Sequence, residues 1–252
     1  MSRSVTITDI GKRRRINQDY VFASDEPVGI LPNLYVVADG MGGHKAGDYA
    51  SRFTVKNLVR ILELGKEASR GLTPEQLIET TLREVNAQLR KIAASDENYF
   101  GMGTTIVVAS VEGSTLRVWN VGDSRLYILS DKLHQITKDH SLVEEMVEAG
   151  SLSESGARRH PDRNVITRAI GAEDYLLIDC FTLTLTNQDM ILMCTDGLTN
   201  MLEDPSIEEI LRENNTLEEK ARHLVDEANR SGGRDNVTVL LADSLVDTEE
   251  RV

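Results

Sequence analysis

Short runs of apolar residues, several with alternating polar positions, follow one another along most of the chain and are typical of β-strands. The predicted strands are SVTIT, NLYVVA, TTIVVAS, LRVWNV, RLYILS, LLIDCFTLTL, DMILMC and NVTVLLA. Several are separated only by a tight turn, and Glu112-Gly113-Ser114 predicts a hairpin between two of them. Because short connections join antiparallel neighbours, the pattern favours antiparallel sheet.

Other segments carry apolar residues at the spacing of a helix. One covers residues 48–64, and Thr73-Pro74-Glu75 opens a second, since Pro is favoured at the first helical position. Asp204-Pro205 starts a short third helix, and Thr216 with Glu219 forms a capping box for the last, before a Gly-Gly pair. This order of elements predicts an α+β protein, in which two antiparallel β-sheets lie between helical layers.

The stretch that ends near Gly171 is polar and differs from the rest of the chain. It contains one amphipathic piece, LVEEMVEAG, and we expect the residues from about Thr137 to Gly171 to form a mobile excursion over one edge of the domain. No repeat, low-complexity tract or Pro- or Ser-rich linker interrupts the sequence. A single domain over residues 1–252 is therefore predicted.

Amino-acid composition and net charge limit the fold, the location and the binding partners that can be expected. Hydrophobic residues make up 40% of the chain, which indicates a globular fold, and the net charge of −13 argues against nucleic-acid binding. No apolar run could span a bilayer, and the first residues lack the apolar stretch of a signal peptide, so we expect a cytoplasmic protein without membrane insertion. The negative charge would repel phosphorylated substrates unless metal ions invert its sign locally.

The two cysteines indicate neither a disulfide framework nor a thiolate zinc site, because no CxxC pattern is present. Cys180 and Cys194 each lie in an apolar stretch, and both are predicted to be buried structural thiols. Neither begins a Cys-x5-Arg loop, which excludes a cysteine-based phosphatase. The P-loop pattern is also absent, and no Asp-x-Asp nucleophile follows the first strand.

The main chemical signal is a set of aspartates at strand boundaries. They are Asp19, Asp39, Asp123, Asp196 and Asp235. Each one alone is ordinary turn chemistry. If the strand ends converge, however, the carboxylates repel one another and need cations, and oxygen ligands suit Mg²⁺, Mn²⁺ or Ca²⁺. Two such ions would activate a water and hold a phosphate for in-line attack.

Taken together, the motifs resemble the metal-dependent protein phosphatase family of the 2C type, particularly its compact bacterial single-domain members. The resemblance covers nearly the whole chain. It rests on RRINQD, VVADGMGGHKAG, MGTTIVVA, NVGDSRLYIL, ITKDHS, VITRAIG, CTDGLTNML and GGRDNVTVLL, in this order. It implies a four-layer αββα sandwich with a flap subdomain at about 141–171.

The resemblance also implies roles for individual residues. Asp39 would bridge two Mn²⁺ or Mg²⁺ ions, and Asp196 and Asp235 would complete the first site. The carbonyl of Gly40 would bind the second ion, with help from the region of Asp19 through water. The family then implies hydrolysis of phosphoserine and phosphothreonine by metal-activated water, without a phosphoenzyme.

Further expectations follow from the same resemblance. Asp123 with Asp196 would form a third, weaker metal site, and Arg14 would grip the substrate phosphate through paired hydrogen bonds. The flap candidates for substrate contact are Arg158, Arg159 and Arg163, which could also be solvated. The expected partners are phosphoproteins made by a serine/threonine kinase, and a monomer is expected.

Two positions depart from the family pattern. Gln18 stands where many members have Glu, and Met41 stands where eukaryotic relatives have a His proposed as general acid. A metal-bound water, His44 or His160 would then have to protonate the leaving oxygen, although His44 is also readily explained as a surface residue. A pseudophosphatase that binds phosphoproteins without turnover is the alternative, and the presence of Asp39, Asp196 and Asp235 favours the enzyme.

Overall fold

The chain folds into two antiparallel β-sheets between two layers of helices, as the sequence predicts. The computed structural model describes residues 4–43, 46–65 and 71–244. Its strands are β1 (Ser4–Asp9), β2 (Asp19–Ser24), β3 (Leu34–Met41), β4 (Gly103–Thr104), β5 (Ile106–Glu112), β6 (Thr115–Val121), β7 (Arg125–Leu129), β8 (Leu133–Gln135), β9 (Asp179–Thr184), β10 (Met190–Cys194) and β11 (Val237–Asp243). Its α-helices are α1 (Ala46–Leu64), α2 (Pro74–Ser95), α3 (Leu142–Glu148), α4 (Glu154–Ala157), α5 (Asp196–Thr199), α6 (Asp204–Leu211) and α7 (Leu217–Arg230).

Each sheet is built from strands that lie far apart in the sequence. The five-stranded sheet has the order β1-β11-β10-β7-β8, and the six-stranded sheet has the order β2-β3-β5-β6-β9, with β4 beside β3. The chain passes from one sheet to the other between β6 and β7. The turn at this crossing therefore lies beside strand ends of both sheets.

Three apolar clusters form the core and account for the layers. One lies between the sheets, one joins the six-stranded sheet to α1 and α2, and one joins the five-stranded sheet to α6 and α7. Strand β3 has buried residues on both of its faces, which explains its unbroken apolar run. The predicted α+β class with αββα layering is confirmed.

The predicted helices and hairpin are present, with boundaries that their end signals explain. Thr216 Oγ1 accepts a hydrogen bond from the Glu219 N–H at 3.3 Å, and the Glu219 carboxylate accepts one from the Thr216 N–H at 2.9 Å. Gly113 turns the β5–β6 hairpin with a positive φ of 57°. Strands β2 and β8 and helices α4 and α5 are not among the elements predicted from the sequence. Strand β8, α4 and α5 have only three or four residues, too few to show a periodicity.

One prediction about the cysteines is wrong. Cys194 is buried, but Cys180 is exposed. It lies on the edge strand β9, where alternate residues face outwards, and its Sγ is 3.6 Å from Glu79 Oε1 on α2. Because α2 covers this margin of the sheet only partly, an apolar sequence context did not ensure burial. Partial burial and Glu79 raise the pKa of the Cys180 thiol to about 12, so the thiol is not reactive.

The segment 141–171 contains α3 and α4 and is fixed at both ends. The His140 N–H, directly before the segment, donates to the Gly122 carbonyl at 3.0 Å, and Ile170 exchanges both backbone hydrogen bonds with Thr104. The described ranges include no helix that combines the length and the apolar character needed to cross a bilayer. A single domain over residues 1–252 and a flap subdomain stay predictions.

Candidate metal centre and active site

The five predicted aspartates lie together at one edge of the sandwich. Asp19 and Asp39 are directly opposite each other on β2 and β3. Asp196 is the first residue of α5, immediately after β10, and Asp235 lies just before β11. Asp123 lies in the turn where the chain crosses from β6 to β7. Both sheets thus contribute carboxylates to one site, as expected from the strand boundaries.

Electrostatics show that this cluster is short of positive charge. Burial, reinforced by the carboxylates of Asp19, Asp196 and Asp123, raises the pKa of Asp39 well above its usual value. Burial likewise raises the pKa of Asp19 to about 7, although two hydrogen bonds oppose the change, and that of Asp196 to about 6, where Asp235 adds to the effect. Such a group of carboxylates is stable in its ionised form only with cations nearby.

Two carboxylates in the cluster are oriented by hydrogen bonds to one oxygen, whereas the other oxygen accepts no hydrogen bond from the described residues. Asp19 Oδ2 accepts hydrogen bonds from Thr195 Oγ1 at 2.9 Å and from Thr238 Oγ1 at 2.7 Å, whereas its Oδ1 is buried and has no hydrogen-bond partner in the described part of the chain. Asp196 Oδ2 accepts from Asn200 at 2.8 Å, and its Oδ1 is also buried without a donor. Oriented, donor-free oxygens of this kind are suitable ligands for a hard cation.

Gly40 allows a close approach of the backbone that another residue would prevent. A Cβ at this position would lie 2.0 Å from the Gly47 carbonyl oxygen of α1 and 2.7 Å from that of Gln18. The Gly40 N–H donates to the Gln18 carbonyl at 3.0 Å. The strand end that carries Asp39 is therefore pressed against the start of α1, and Gly is required there.

Arg14 faces the cluster from its exposed side. Its Nη2 is 2.6 Å from Asp235 Oδ2, and its side chain is 48% exposed. Partial burial acts to lower the Arg14 pKa, but Asp235, Asp39 and Asp196 outweigh it, and the pKa is raised. Among the described residues, no three His, Cys, Asp or Glu side chains form a complete metal cage. With Asp235 paired to Arg14, ions at this site would need water or carbonyl ligands besides the carboxylates.

Thr105, to which sequence reasoning assigned no role, links two of the aspartate-bearing turns. Its Oγ1 accepts a hydrogen bond from the Asp39 N–H at 2.9 Å and lies 2.7 Å from Ser124 Oγ, next to Asp123. A Cβ on Gly122 would lie 2.6 Å from the Thr105 side chain. One hydroxyl therefore fixes the Asp39 strand end relative to the β6–β7 turn.

Replacing Thr105 with Val should remove this link with little change in volume. We expect kcat/KM to fall about 10-fold and Mn²⁺ affinity to weaken by about the same factor, since groups that orient metal ligands have effects of this size. Thr105→Ser keeps the hydroxyl and should stay within about threefold of the wild type. Steady-state kinetics and Mn²⁺ titration calorimetry of both variants test this, and equal effects of Val and Ser would refute a role for the hydroxyl.

His140 was also not identified from the sequence, although the ITKDHS motif contains it. Its buried ring accepts a hydrogen bond at Nδ1 from the Gly122 N–H at 3.0 Å, and its Nε2 lies 3.1 Å from Asp179 Oδ2. Burial lowers the His140 pKa, although Asp179 opposes this. The ring therefore supports the turn that carries Asp123, with Nε2 as the protonated nitrogen. The signal available in the sequence was a His directly after Asp139 in a polar stretch, which is too common to be decisive.

The arrangement of strand-end aspartates has clear counterparts among known proteins. A family model described as protein phosphatase 2C matches residues 11–232. The chain belongs to the protein phosphatase 2C family. The serine/threonine phosphatase stp of Listeria innocua is 41% identical over 242 residues, which cover 94% of this chain and 93% of stp.

Solved structures agree with this membership. Serine/threonine phosphatase Stp1 from Staphylococcus aureus has a TM-score of 0.88 and 33% identity, with coverage of 97% of this chain and 95% of Stp1. The catalytic domain of serine/threonine phosphatase PstP, in complex with two manganese ions, has a TM-score of 0.84 and 31% identity, with coverage of 97% and 98%. The prediction of a metal-dependent serine/threonine protein phosphatase is confirmed, and the pseudophosphatase alternative is not supported.

A cleft of about 700 Å³ extends from the aspartate cluster of this 2C phosphatase to α3 and α4. Asp123 and Asp196 line one part of it, and Arg158 and Arg163 line another. Arg158 Nη2 donates to the Thr199 and Leu202 carbonyls at 3.0 and 3.1 Å, and Arg163 Nη1 donates to the Arg158 carbonyl at 2.9 Å. Arg158 thus fastens the 141–171 segment to the end of α5, whereas Arg163 bonds within the segment.

The other flap candidate, Arg159, and the proposed proton donor His160 do not line the cleft. Arg159 is exposed. His160 lies in a turn of the 141–171 segment, where its Nδ1 accepts from the Asp162 N–H at 3.2 Å, and it does not line the cleft. His44 lies outside the described residues. Met41, at the end of β3, provides no proton.

Proposed function

We propose that this 2C phosphatase hydrolyses phosphoserine and phosphothreonine in proteins at a centre of two divalent ions held by the aspartate cluster. The observation that supports this most is the pair of buried, donor-free oxygens, Asp19 Oδ1 and Asp196 Oδ1, inside a cluster with raised carboxyl pKa values. Oxygen-only ligands favour Mn²⁺ or Mg²⁺ over zinc. The two manganese ions in PstP are in accord with this choice.

Each residue has a proposed part in holding the ions. Asp39 would lie between both ions, with Asp196 and Asp235 completing one site. The Gly40 carbonyl and, through water, Asp19 would complete the other. Asp123 with Asp196 would offer a third, weaker position. The bound ions would supply Lewis acidity and an activated water for in-line attack at phosphorus.

The chain itself supplies substrate binding and charge neutralisation. Arg14 would exchange its partner Asp235, now 2.6 Å away, for the substrate phosphate, which a guanidinium binds through two parallel hydrogen bonds. Once Asp235 is released from Arg14, its carboxylate is free to complete a metal site. In the absence of substrate, the salt bridge between Arg14 and Asp235 would hold both side chains in place. Phosphoproteins made by a serine/threonine kinase are the proposed substrates.

Loss of one carboxylate tests the centre by Mn²⁺ binding, independently of turnover. Asp196→Asn removes a charge and should weaken Mn²⁺ affinity, measured by titration calorimetry, by about 10- to 100-fold or more. Asp189→Asn is the matched control, since Asp189 is also buried but lies before the other end of β10. It should leave the affinity within about twofold of the wild type. Equal Mn²⁺ affinity in Asp196→Asn and the wild type would show that the cluster does not hold the ion.

A further inference from the structure

Four cations that form no ion pair with any described carboxylate adjoin Arg14 and Asp235 in the chain. They are Lys12, Arg13, Arg15 and Arg234, here called the basic rim. All four are exposed, and within the described residues none forms an ion pair. The first three flank Arg14 in sequence, and Arg234 precedes Asp235. The basic rim is therefore a positively charged surface on a protein whose net charge is −13.

The backbone that carries the rim is held in place rather than free. Asn236 Nδ2 donates to the carbonyls of both Ile10 and Ile16 at 3.0 Å, which closes the loop between them. The Lys12 N–H donates to the Gly233 carbonyl at 2.8 Å. Gly11 has a φ of 76°, and a Cβ there would lie 2.1 Å from the Asp235 carbonyl oxygen. The loop is therefore packed against the turn that carries Asp235, and the backbone from which its cationic side chains extend is fixed in position.

The cleft beside the aspartate cluster, which none of the rim residues lines, carries the opposite charge. Beyond Asp123, the cleft includes Glu144, Glu154, Glu203 and Asp204. Two of its four lining cations are neutralised by ion pairs, Arg125 by a bidentate pair with Asp139 and Lys138 by Glu148, so that acidic side chains predominate in the cleft. An acidic peptide segment beside the phosphorylated residue would be repelled by this cleft and attracted to the rim.

We propose that the basic rim binds acidic or additionally phosphorylated residues next to the scissile phosphate, so that the enzyme prefers phosphoproteins with anionic flanking sequences. This proposal rests on the proposed function, because Arg14 and the rim would then contact neighbouring parts of one substrate. The net charge of −13 repels such substrates at long range, and the rim provides local attraction at the point of entry. Since the rim is exposed, salt should weaken its effect.

Two phosphothreonine peptides of equal length test the preference, one with Asp and Glu around the phosphothreonine and one with Ser and Gln. With the Mn²⁺-loaded full chain at low salt, we expect kcat/KM to be about 10-fold higher for the acidic peptide. In Arg13→Gln/Arg15→Gln the ratio should fall to about twofold. Lys91→Gln/Lys132→Gln, which removes two exposed cations elsewhere, should keep the ratio of the wild type.

The outcomes separate this proposal from the function on which it rests. Equal turnover of both peptides by the wild type, or a ratio that Arg13→Gln/Arg15→Gln does not change, overturns the role of the rim and leaves the phosphatase intact. Absence of turnover with both peptides overturns the proposed function. The single variant Arg234→Gln repeats the test if the double variant melts at a lower temperature. Binding to phosphatidylcholine–phosphatidylglycerol vesicles that is lost in the double variant, with no peptide preference, would assign the rim to a membrane and also overturn the proposal.

Discussion

Excess EDTA is expected to abolish release of phosphate from a phosphothreonine peptide, and added Mn²⁺ or Mg²⁺ is expected to restore it. Without cations the buried carboxylates repel the substrate phosphate, and among the described residues Arg14 is the cation that forms an ion pair with one of the five aspartates. The loss should be at least about 10⁴-fold, because both the activated water and the charge stabilisation disappear together. Malachite-green detection of phosphate measures it.

Removal of the metal should also change how stability depends on pH. The folded-state pKa of Asp19 is about 7 and that of Asp196 about 6, both above the ordinary 3.8. Because the folded state then holds protons on these two carboxyls more tightly than the unfolded state, their contribution to the stability of the metal-free protein should be fully present at about pH 4 and be lost as the pH rises to about 7. Bound cations favour the ionised carboxylates and should reverse this loss.

Thermal melting across this pH range, with EDTA and with Mn²⁺, measures both effects. The gap between the two melting temperatures should widen as the pH rises from about 4 to about 7. A constant gap would mean that the raised carboxyl pKa values are not linked to metal binding. Turnover that survives in EDTA, with metal content checked by mass spectrometry, would contradict a metal centre altogether.

Most of the architecture could be predicted from the sequence because its signals are local. The capping box at Thr216 and the Pro after Thr73 mark helix starts through contacts three residues apart. The strand-end aspartates could be predicted as a set for a similar reason, since each follows or precedes its own apolar run. Their meeting at one edge depends on the order of strands in the sheets, and here the family resemblance added what periodicity could not.

The parts that were missed depend on contacts distant in sequence. Thr105 bonds to Asp39, 66 residues away, and Thr238 to Asp19, 219 residues away. A threonine in a buried strand, such as Thr238, or directly before one, such as Thr105, carries no sign of such a partner, since β-branched residues are common in every strand. Cys180 was wrongly predicted as buried because its apolar neighbours do not reveal that β9 is an edge strand. Which residues support the site and which strands lie at a sheet edge depend on tertiary structure, whereas the boundaries of helices and strands depend on neighbouring residues.

Asp39→Asn should reduce kcat/KM by at least about 10³-fold while the fold is retained. Asp39 faces four other carboxylates, and the amide keeps its shape but removes the charge proposed to lie between two ions. The same lost charge relieves repulsion from Asp19 and Asp196, so the metal-free variant should melt at a higher temperature than the metal-free wild type near pH 7. Opposite changes in activity and metal-free stability are specific to a carboxylate that belongs to a metal centre.

Asp243→Asn provides the matched control for this pair of measurements. It makes the same chemical change in an exposed residue at the end of β11 away from Asp235. Its activity should equal that of the wild type, and its metal-free melting temperature should not rise. If Asp39→Asn instead lowered both activity and metal-free stability, Asp39 would be a structural residue, stabilised by its hydrogen bonds rather than strained by its neighbours. If it kept full activity, the assignment of the metal centre to this cluster would be wrong, since no other described carboxylate lies opposite Asp19.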